Sequence, residues 1–284
     1  MDKNLSTEQA IIKTMETEEG RLNAFLCYYE YDVEKAYQRF NNSEEWEAIR
    51  VFLANYQLPN NRVLDLGSGN GIASYAFIKS GFSVVSIEPD DSNLTGYGAM
   101  KKFRESEDFP FCNVSGIGEL LPFKQKTFGL VYCRQVLHHS SNLQQMINEI
   151  SRVLAPGGLL FATREHVVDN NESLIHFLEN HPLHKYTNSE YAYQIKEYKS
   201  AITKSNLKII KFMSSWDTVI NHYPISNEVV MSILIESFKN KLGFISKFLI
   251  ENKLCENIFR KIMSKKDKRP GRMISFIAKS NLVY

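Results

Sequence analysis

Val63-Leu64-Asp65-Leu66-Gly67-Ser68-Gly69-Asn70-Gly71 is the stretch whose reading decides the fold. A short apolar run with the composition of a buried strand ends in three glycines on alternate positions. A helix-forming run follows Asn70 and ends near Gly81. Glycines at a strand-to-helix turn let the backbone approach a ligand with no Cβ in the way, and such a turn points to a nucleotide-type cofactor. The spacing is G-x-G-x-G, not the G-x-G-x-x-G that cradles a pyrophosphate. Asp65 stands two residues before the first glycine. A carboxylate there opposes a diphosphate and suits a cationic ligand.

Working downstream, Val84 to Ile87 reads as the next strand, and Glu88 closes it. An acid in that place accepts hydrogen bonds from ribose hydroxyls in dinucleotide folds. A helix runs through Met100 and Phe103. Phe109 to Val114 is a weaker strand, since Pro110 cannot donate to a ladder. Gly129 to Cys133 is a strand, Asn142 to Leu154 an amphipathic helix, and Leu159 to Thr163 a strand. A helix at Tyr191 to Thr203 and strands at Leu207 to Phe212 and Arg272 to Ala278 complete the series.

Strands alternating with helices over short connections predict a parallel sheet covered on both faces, with ligands beyond the carboxyl ends of the strands. Upstream, Ala36, Phe40, Ile49, Phe52 and Leu53 recur at helical spacing before Pro59-Asn60-Asn61 punctuates the chain. The expected architecture is therefore α/β: a doubly wound, mostly parallel seven-stranded sheet over residues 59–284, with a helical cap at 1–58. A helical insertion at about 216–270 separates the last two strands. Its apolar residues, including Val230, Leu234, Phe238, Leu242, Ile245 and Leu249, are too many to leave in water. They are expected to pack beside the cofactor cleft; a homodimer contact or a membrane surface are the other partners they allow.

Bulk properties narrow the classes. The 284 residues are 43% hydrophobic and 23% charged, ordinary for a globular protein, and the formal net charge of +2 implies no obligate nucleic-acid partner. Four cysteines, at 27, 112, 133 and 255, have no short pairing, which argues against a disulfide scaffold and fits a reducing compartment. No run of 18 apolar residues predicts a membrane span, and residues 1–20 lack the apolar core of a signal peptide. The expected setting is cytoplasmic. From 260 to 272 seven basic residues face one acid, Asp267, as a solvated helix end or as a membrane-surface helix.

At these residues the chain resembles the class I S-adenosylmethionine-dependent methyltransferase superfamily, its small-molecule branch in particular. Val63 to Gly71 is similar to the family's first motif and Ser86-Ile87-Glu88-Pro89 to its second. Gly116 through Phe123 resembles its adenine-side loop, and Phe128 to Val131 its fourth strand. Val136 to His139 and Leu154 to Gly158 look like further landmarks, so the match runs over about Asn61 to Thr163. The resemblance implies the Rossmann-like methyltransferase fold, S-adenosyl-L-methionine as cofactor and a small-molecule acceptor. Carried over, Gly67 and Gly69 touch the methionine part through backbone, Asp65 orients its amino group, Glu88 holds the ribose, and Gly118 and Glu119 line the adenine pocket. Ser68, Gly71, Pro89, Cys133 and Arg134 complete the implied cofactor set. Relatives often carry an aspartate where this chain has Ile117, so the adenine contact falls to backbone or to Glu119.

The acceptor half is less defined. All seven histidines lie at 138 or beyond, near the strand ends where acceptors sit. His139 and His166 are the candidate bases, set against ordinary packing of the strand–helix turns. His181-Pro182-Leu183-His184 reads as a loop with polar acceptor contacts in preference to a metal pair, and no metal is expected. Arg134 suits an acidic or phosphorylated acceptor, or caps structure. Cys133-Arg134-Gln135-Val136 lacks the Asn/Asp-Pro-Pro-aromatic sequence of relatives that methylate nucleic-acid bases. The expected activity is O- or N-methylation of a small polar compound, such as a sugar or glycan precursor. A non-catalytic cofactor-binding module and an NAD(P)-dependent oxidoreductase are the rivals.

Overall fold

The computed structural model describes residues 5–187, 190–243 and 245–281. Four helices come first: α1 (Thr7–Thr14), α2 (Glu18–Leu26), α3 (Val33–Asn41) and α4 (Glu44–Leu53). Ser6, Thr17, Asp32 and Ser43 cap them, each side chain accepting an amide of the first turn. The alternating half follows: β1 (Arg62–Leu66), α5 (Ile72–Lys79), β2 (Ser83–Ile87), α6 (Tyr97–Glu107), β3 (Asn113–Val114), β4 (Phe128–Arg134), α7 (Leu143–Val153) and β5 (Leu154–Val168). Beyond it lie α8 (Asn171–Asn180), β6 (Tyr193–Gln194), α9 (Ile195–Lys204), β7 (Leu207–Met213), α10 (Val219–His222), α11 (Asn227–Leu242), α12 (Ile245–Glu251), α13 (Lys253–Lys266) and β8 (Arg272–Ser280).

The strands lie in the order β3-β2-β1-β4-β5-β8-β7. The first five are parallel, and β8 runs antiparallel to both its neighbours. Residues of the central strands alternate between two cores. Val63, Leu130, Tyr132, Leu159 and Phe161 join the core under the N-terminal helices and α5. Leu64, Leu66, Val131, Cys133, Leu160 and Ala162 join the core under α7 and α9. That two-residue period, with both faces covered, is what a doubly wound sheet requires. Strand order reverses between β1 and β4, which opens a cleft at their carboxyl ends.

Several boundaries differ from expectation. The sheet has eight strands, not seven, because Tyr193–Gln194, expected as the start of a helix, pairs with Val167 and Val168 as β6. A two-residue strand leaves no periodic signal. Only Asn113 and Val114 of the run expected from Phe109 form β3; Phe109 and Phe111 pack at steep ring angles against each other and against Phe103 instead. β5 extends well past both expected ends, and a register shift opposite Phe128 and Leu130 accommodates Ala155-Pro156-Gly157-Gly158.

The insertion also departs from expectation. Val230, Leu234, Phe238 and Ile250 form a small core of their own with Trp216, Phe259, Ile262 and Met263, so the stripe packs chiefly within the insertion. Leu249 is half-buried; the side chains of Leu242 and Ile245 lie outside the described residues. The basic run from 260 to 272 is largely paired: Arg260 with Glu256, Arg269 with Asp267, and Lys268 and Arg272 with Asp169. Among the described residues no helix is long and apolar enough to cross a membrane.

Candidate active site

The turn after β1 is held by its own backbone. The amides of Gly67 and Ser68 both donate to the Ile87 carbonyl, at 2.8 and 3.2 Å, which ties the turn to the end of β2. Gly67, Gly69 and Gly71 all have left-handed φ, at 65°, 53° and 90°, so each position favours glycine on conformation alone. A Cβ at Gly67 would also stand 2.6 Å from the Val136 side chain, and one at Gly71 2.5 Å from Met100. The glycines therefore serve close packing inside the protein as well as any approach to a ligand.

Two acids face the turn. Glu88 accepts the Gly69 amide at 2.8 Å and the Asp90 amide at 3.0 Å, one on each carboxylate oxygen. Its pKa is raised by burial, against the pull of those amides. Asp65 is buried beneath the turn and accepts the Ser74 hydroxyl at 2.5 Å, with Ser86 Oγ 2.7 Å behind it. Burial pushes Asp65 up to about 7, and a cation placed beside it would restore the anion. The N-terminal helices close over this end. Tyr37 donates to the Asn70 carbonyl at 2.8 Å, Asn70 Nδ2 to the Tyr28 carbonyl at 2.8 Å, and the Leu94 amide to Glu8 at 2.8 Å.

In the loop after β3, Gly118 packs against Met146, where a Cβ would stand 2.6 Å from that side chain. Glu119 accepts the Ser140 hydroxyl at 2.6 Å and the Ser141 amide at 3.0 Å. Burial raises its pKa, but these bonds outweigh it and the group sits below the usual carboxylate range. All of them fall on one oxygen of Glu119.

At the carboxyl ends of β4 and β5 lies a network that the sequence reading missed. Arg134 is gripped by Glu45 from α4, Nε to Oε1 at 2.8 Å and Nη2 to Oε2 at 3.1 Å. Arg164 Nε lies 3.9 Å from the same carboxylate, and its Nη1 donates to the carbonyls of Ile220 and Tyr223. Arg164 holds φ of 60°, a strained value for a side-chain-bearing residue, where the β5–β8 register slips. Arg134 is thus held by Glu45 in a two-pronged pair while still lining the cavity. The signal for Glu45 was absent, because it lies 89 residues from its partner on a helix face otherwise read as a cap.

Beside this network stand the histidines. His138 and His139 sit on the 3-10 turn Leu137–His139, the first buried and the second exposed. Glu165, fully buried, accepts the amides of Val136, Leu137 and His138 and is 2.8 Å from His138 Nδ1. Burial pushes Glu165 up to about 7 and drives His138 well down. His166 Nδ1 lies 2.7 Å from the Gly271 carbonyl, and burial lowers its pKa to about 3. A proton placed on His166 is quickly lost near neutrality, so the ring suits hydrogen bonding to an acceptor better than storing its proton. His181, 5.8 Å from His166 between ring centroids, comes from the loop after α8.

One cavity of about 900 Å³ joins these parts. Asp65, Gly67, Ser68, Gly69, Glu88, Pro89, Gly118, Glu119, Arg134, His139 and His166 all line it, as do Cys27 and Tyr29 from the cap and Trp216 to one side. Gly71 and Cys133 stand apart from that lining. Gly71 faces Met100 at the start of α5, and Cys133 points into the core under α7, as alternation along β4 requires.

The sheet order, the glycine turn and the acid after β2 define a Rossmann-like α/β protein of the methyltransferase class. Residues 64–162 match the family model described as a methyltransferase domain. Over 100 residues the chain is 29% identical to a ubiquinone biosynthesis O-methyltransferase of Rhizobium etli, covering 35% of this chain and 39% of that one. It is 35% identical over 101 residues to a demethylmenaquinone methyltransferase of Streptomyces griseus, covering 35% and 40%. The matches thus span about two fifths of the length of these curated relatives. A crystal structure of an S-adenosylmethionine-dependent methyltransferase from Mesorhizobium loti superposes with a TM-score of 0.53 at 14% identity, covering 85% of this chain and all of the other. At that identity the likeness is one of fold.

Proposed function

We propose that the chain transfers a methyl group from S-adenosyl-L-methionine to an oxygen or nitrogen of a small polar acceptor. One observation carries this reading: the glycine turn, its two acids and the histidine cluster line a single cavity of about 900 Å³. Small-molecule sites run to about 1,000 Å³, so the space suits a cofactor with a compact acceptor. The residues fit the cofactor on chemical grounds. Asp65 offers a buried anion for the ammonium of the methionine part, Glu88 keeps lone pairs for ribose hydroxyls beyond its two amide bonds, and Gly118 and Glu119 flank the adenine side. The bound cofactor supplies a methyl group already activated on a sulfonium. What remains for the protein is alignment and exclusion of water, and alignment alone is worth orders of magnitude. His166 and His139 hold the acceptor at the far end and receive or relay its hydrogen bond. The four free cysteines fit a cytoplasmic setting.

Calorimetric titration with S-adenosylmethionine, S-adenosylhomocysteine and NADH tests the reading directly. Binding of the first two with no heat from NADH is expected, followed by release of S-adenosylhomocysteine with a panel of small hydroxyl and amine acceptors. Binding of NADH in place of the sulfonium compound would overturn it, and cofactor binding with no turnover on any acceptor would favour a non-catalytic module.

A further inference from the structure

Methyl transfer as proposed uses His139 and His166 but gives no role to the buried His138 and Glu190, which converge on the same edge of the cavity. His138 and His139 are consecutive, with ring centroids 4.2 Å apart. Glu190 arrives from the segment just before β6 and is buried. One donor atom of each of these three side chains lies within 4.8 Å of the other two. A buried carboxylate calls for a cationic or hydrogen-bonding partner, and Glu190 faces His181 Nε2 at 3.8 Å. His181 itself carries a buried Nδ1 with no hydrogen-bond partner.

The second observation concerns His138. Its Nδ1 is 2.8 Å from Glu165, whose carboxylate is already fixed by three backbone amides. With Glu165 ionised, the form a nearby dication favours, the carboxylate only accepts, so Nδ1 carries the hydrogen and the lone pair is left on Nε2. A carboxylate holding one nitrogen of a histidine, so that the other presents its lone pair, is the arrangement that supports metal-binding imidazoles.

We propose that His138, His139 and Glu190 bind a divalent transition-metal ion of the zinc type, with Glu165 positioning His138. Two imidazoles and one carboxylate are the ligand set of open zinc sites, and they select against magnesium and calcium, which seek oxygen. A tetrahedral ion with bonds of about 2.1 Å sets its ligand atoms about 3.4 Å apart. The widest separation here closes to that by a shift of about 1.4 Å, within reach of the exposed His139 side chain. All three residues and His181 also line the cavity, so the ion's open position is available to an acceptor oxygen. A hydroxyl bound there breaks its O–H bond at lower pH, the proton going to solvent and the electron pair staying on the oxygen. That role rests on the methyl-transfer reading, whereas the ion site does not.

The full chain, stripped of metal with a chelator, is titrated with Zn²⁺ alone by calorimetry and with Co²⁺ by visible absorption. One Zn²⁺ per chain and a tetrahedral cobalt spectrum are expected, with Mg²⁺ giving neither. His139→Ala and Glu190→Gln should each weaken Zn²⁺ binding by more than about tenfold, and Glu165→Gln by about 10–100-fold, with circular dichroism confirming the fold. His176→Ala, at an exposed histidine outside the cavity, should leave it unchanged. Absence of stoichiometric Zn²⁺ binding, or unchanged affinity in either ligand variant, overturns the site. Zn²⁺ binding without S-adenosylmethionine binding would fell the methyl-transfer reading and leave the ion site standing, and the converse result would do the reverse.

Discussion

At the scale of single residues, Asp65 shows how burial sets up recognition of a cation. Its carboxyl is taken out of water beneath the glycine turn, which pushes its pKa from the ordinary 3.8 up to about 7. The unliganded protein therefore favours the protonated acid. Stability from this group is fully present below the unfolded value and is lost as pH rises through about 7. Cofactor binding has the opposite sign, because an ammonium needs the anion and its arrival expels the proton. Affinity for S-adenosylmethionine should therefore strengthen by up to about tenfold per pH unit as pH rises toward 7. The gain should stop near pH 8, where an α-amino group loses its own charge at about 7.7–8.0. Calorimetry in two buffers of different ionisation heat should count up to one proton released at about pH 6. Asp65→Asn should flatten this dependence, weaken the cofactor and raise the melting temperature of the unliganded protein at about pH 8, since an amide has no charge to bury. Affinity that does not change between about pH 6 and 7.5 in the parent protein would refute the assignment.

Among elements, the instructive contact is α4 against the ends of β4 and β5. Glu45 is fully buried with two guanidiniums, Arg134 in a two-pronged bond and Arg164 farther off. Replacing Glu45 with Gln would leave both arginines without their counter-charge, and removing one partner of a buried pair costs about 3–5 kcal/mol. Urea denaturation should show a loss on that scale; a change below about 1 kcal/mol would mean that water already screens the site. This element was only half legible in sequence. The spacing of Ala36, Phe40, Ile49 and Leu53 gave the cap's apolar side, and these residues are indeed buried. Its polar contact with the strand ends was invisible, because apolar period reports one face and says nothing of a long-range ion pair. Strands β1, β2 and β4 were readable for a matching reason, since their residues are buried on both faces and bounded by turn signals. The two residues of β6 and the bulged start of β5 were not, because a strand that short has no period and Pro156-Gly157-Gly158 mimics a loop. In the cavity, the glycine turn and the acid after β2 follow contiguous sequence and were legible as a unit. The polar network at the other end assembles Glu45, Arg164 with Glu165, Glu190 and Tyr223 from four separate segments and was not.

At the scale of the whole molecule, the insertion clamps a segment that lines the end of the cavity proposed for the acceptor. Helices α11 to α13 pack on one another around Val230, Leu234, Phe238 and Ile250, and polar anchors tie them to the main domain. Arg260 donates to the Trp216 carbonyl at 3.0 Å and to Asn227 Oδ1 at 3.2 Å, and lies 3.3 Å from His222 Nε2. Asp267 accepts the Ser215 hydroxyl at 2.7 Å, and the Asn227 amide reaches Glu44 at 3.0 Å. Ser215, Trp216, His222 and Tyr223 all line the cavity, so the insertion acts on the site through the segment it clamps. The end proposed for the cofactor rests on other contacts: the β1 turn, β2, and the caps from α1 to α3. Replacing Asn227 to Lys268 with a short Gly-Ser bridge should therefore leave S-adenosylmethionine affinity within about threefold, a change of less than about 0.7 kcal/mol. Turnover of an acceptor found in the panel should fall by about 100-fold, the effect of misplacing a reactant by an ångström. Normal turnover in the deletion variant would show that the 215–225 segment keeps its place unaided. Equal loss of cofactor affinity and turnover would show that the insertion supports the whole domain and not its acceptor end.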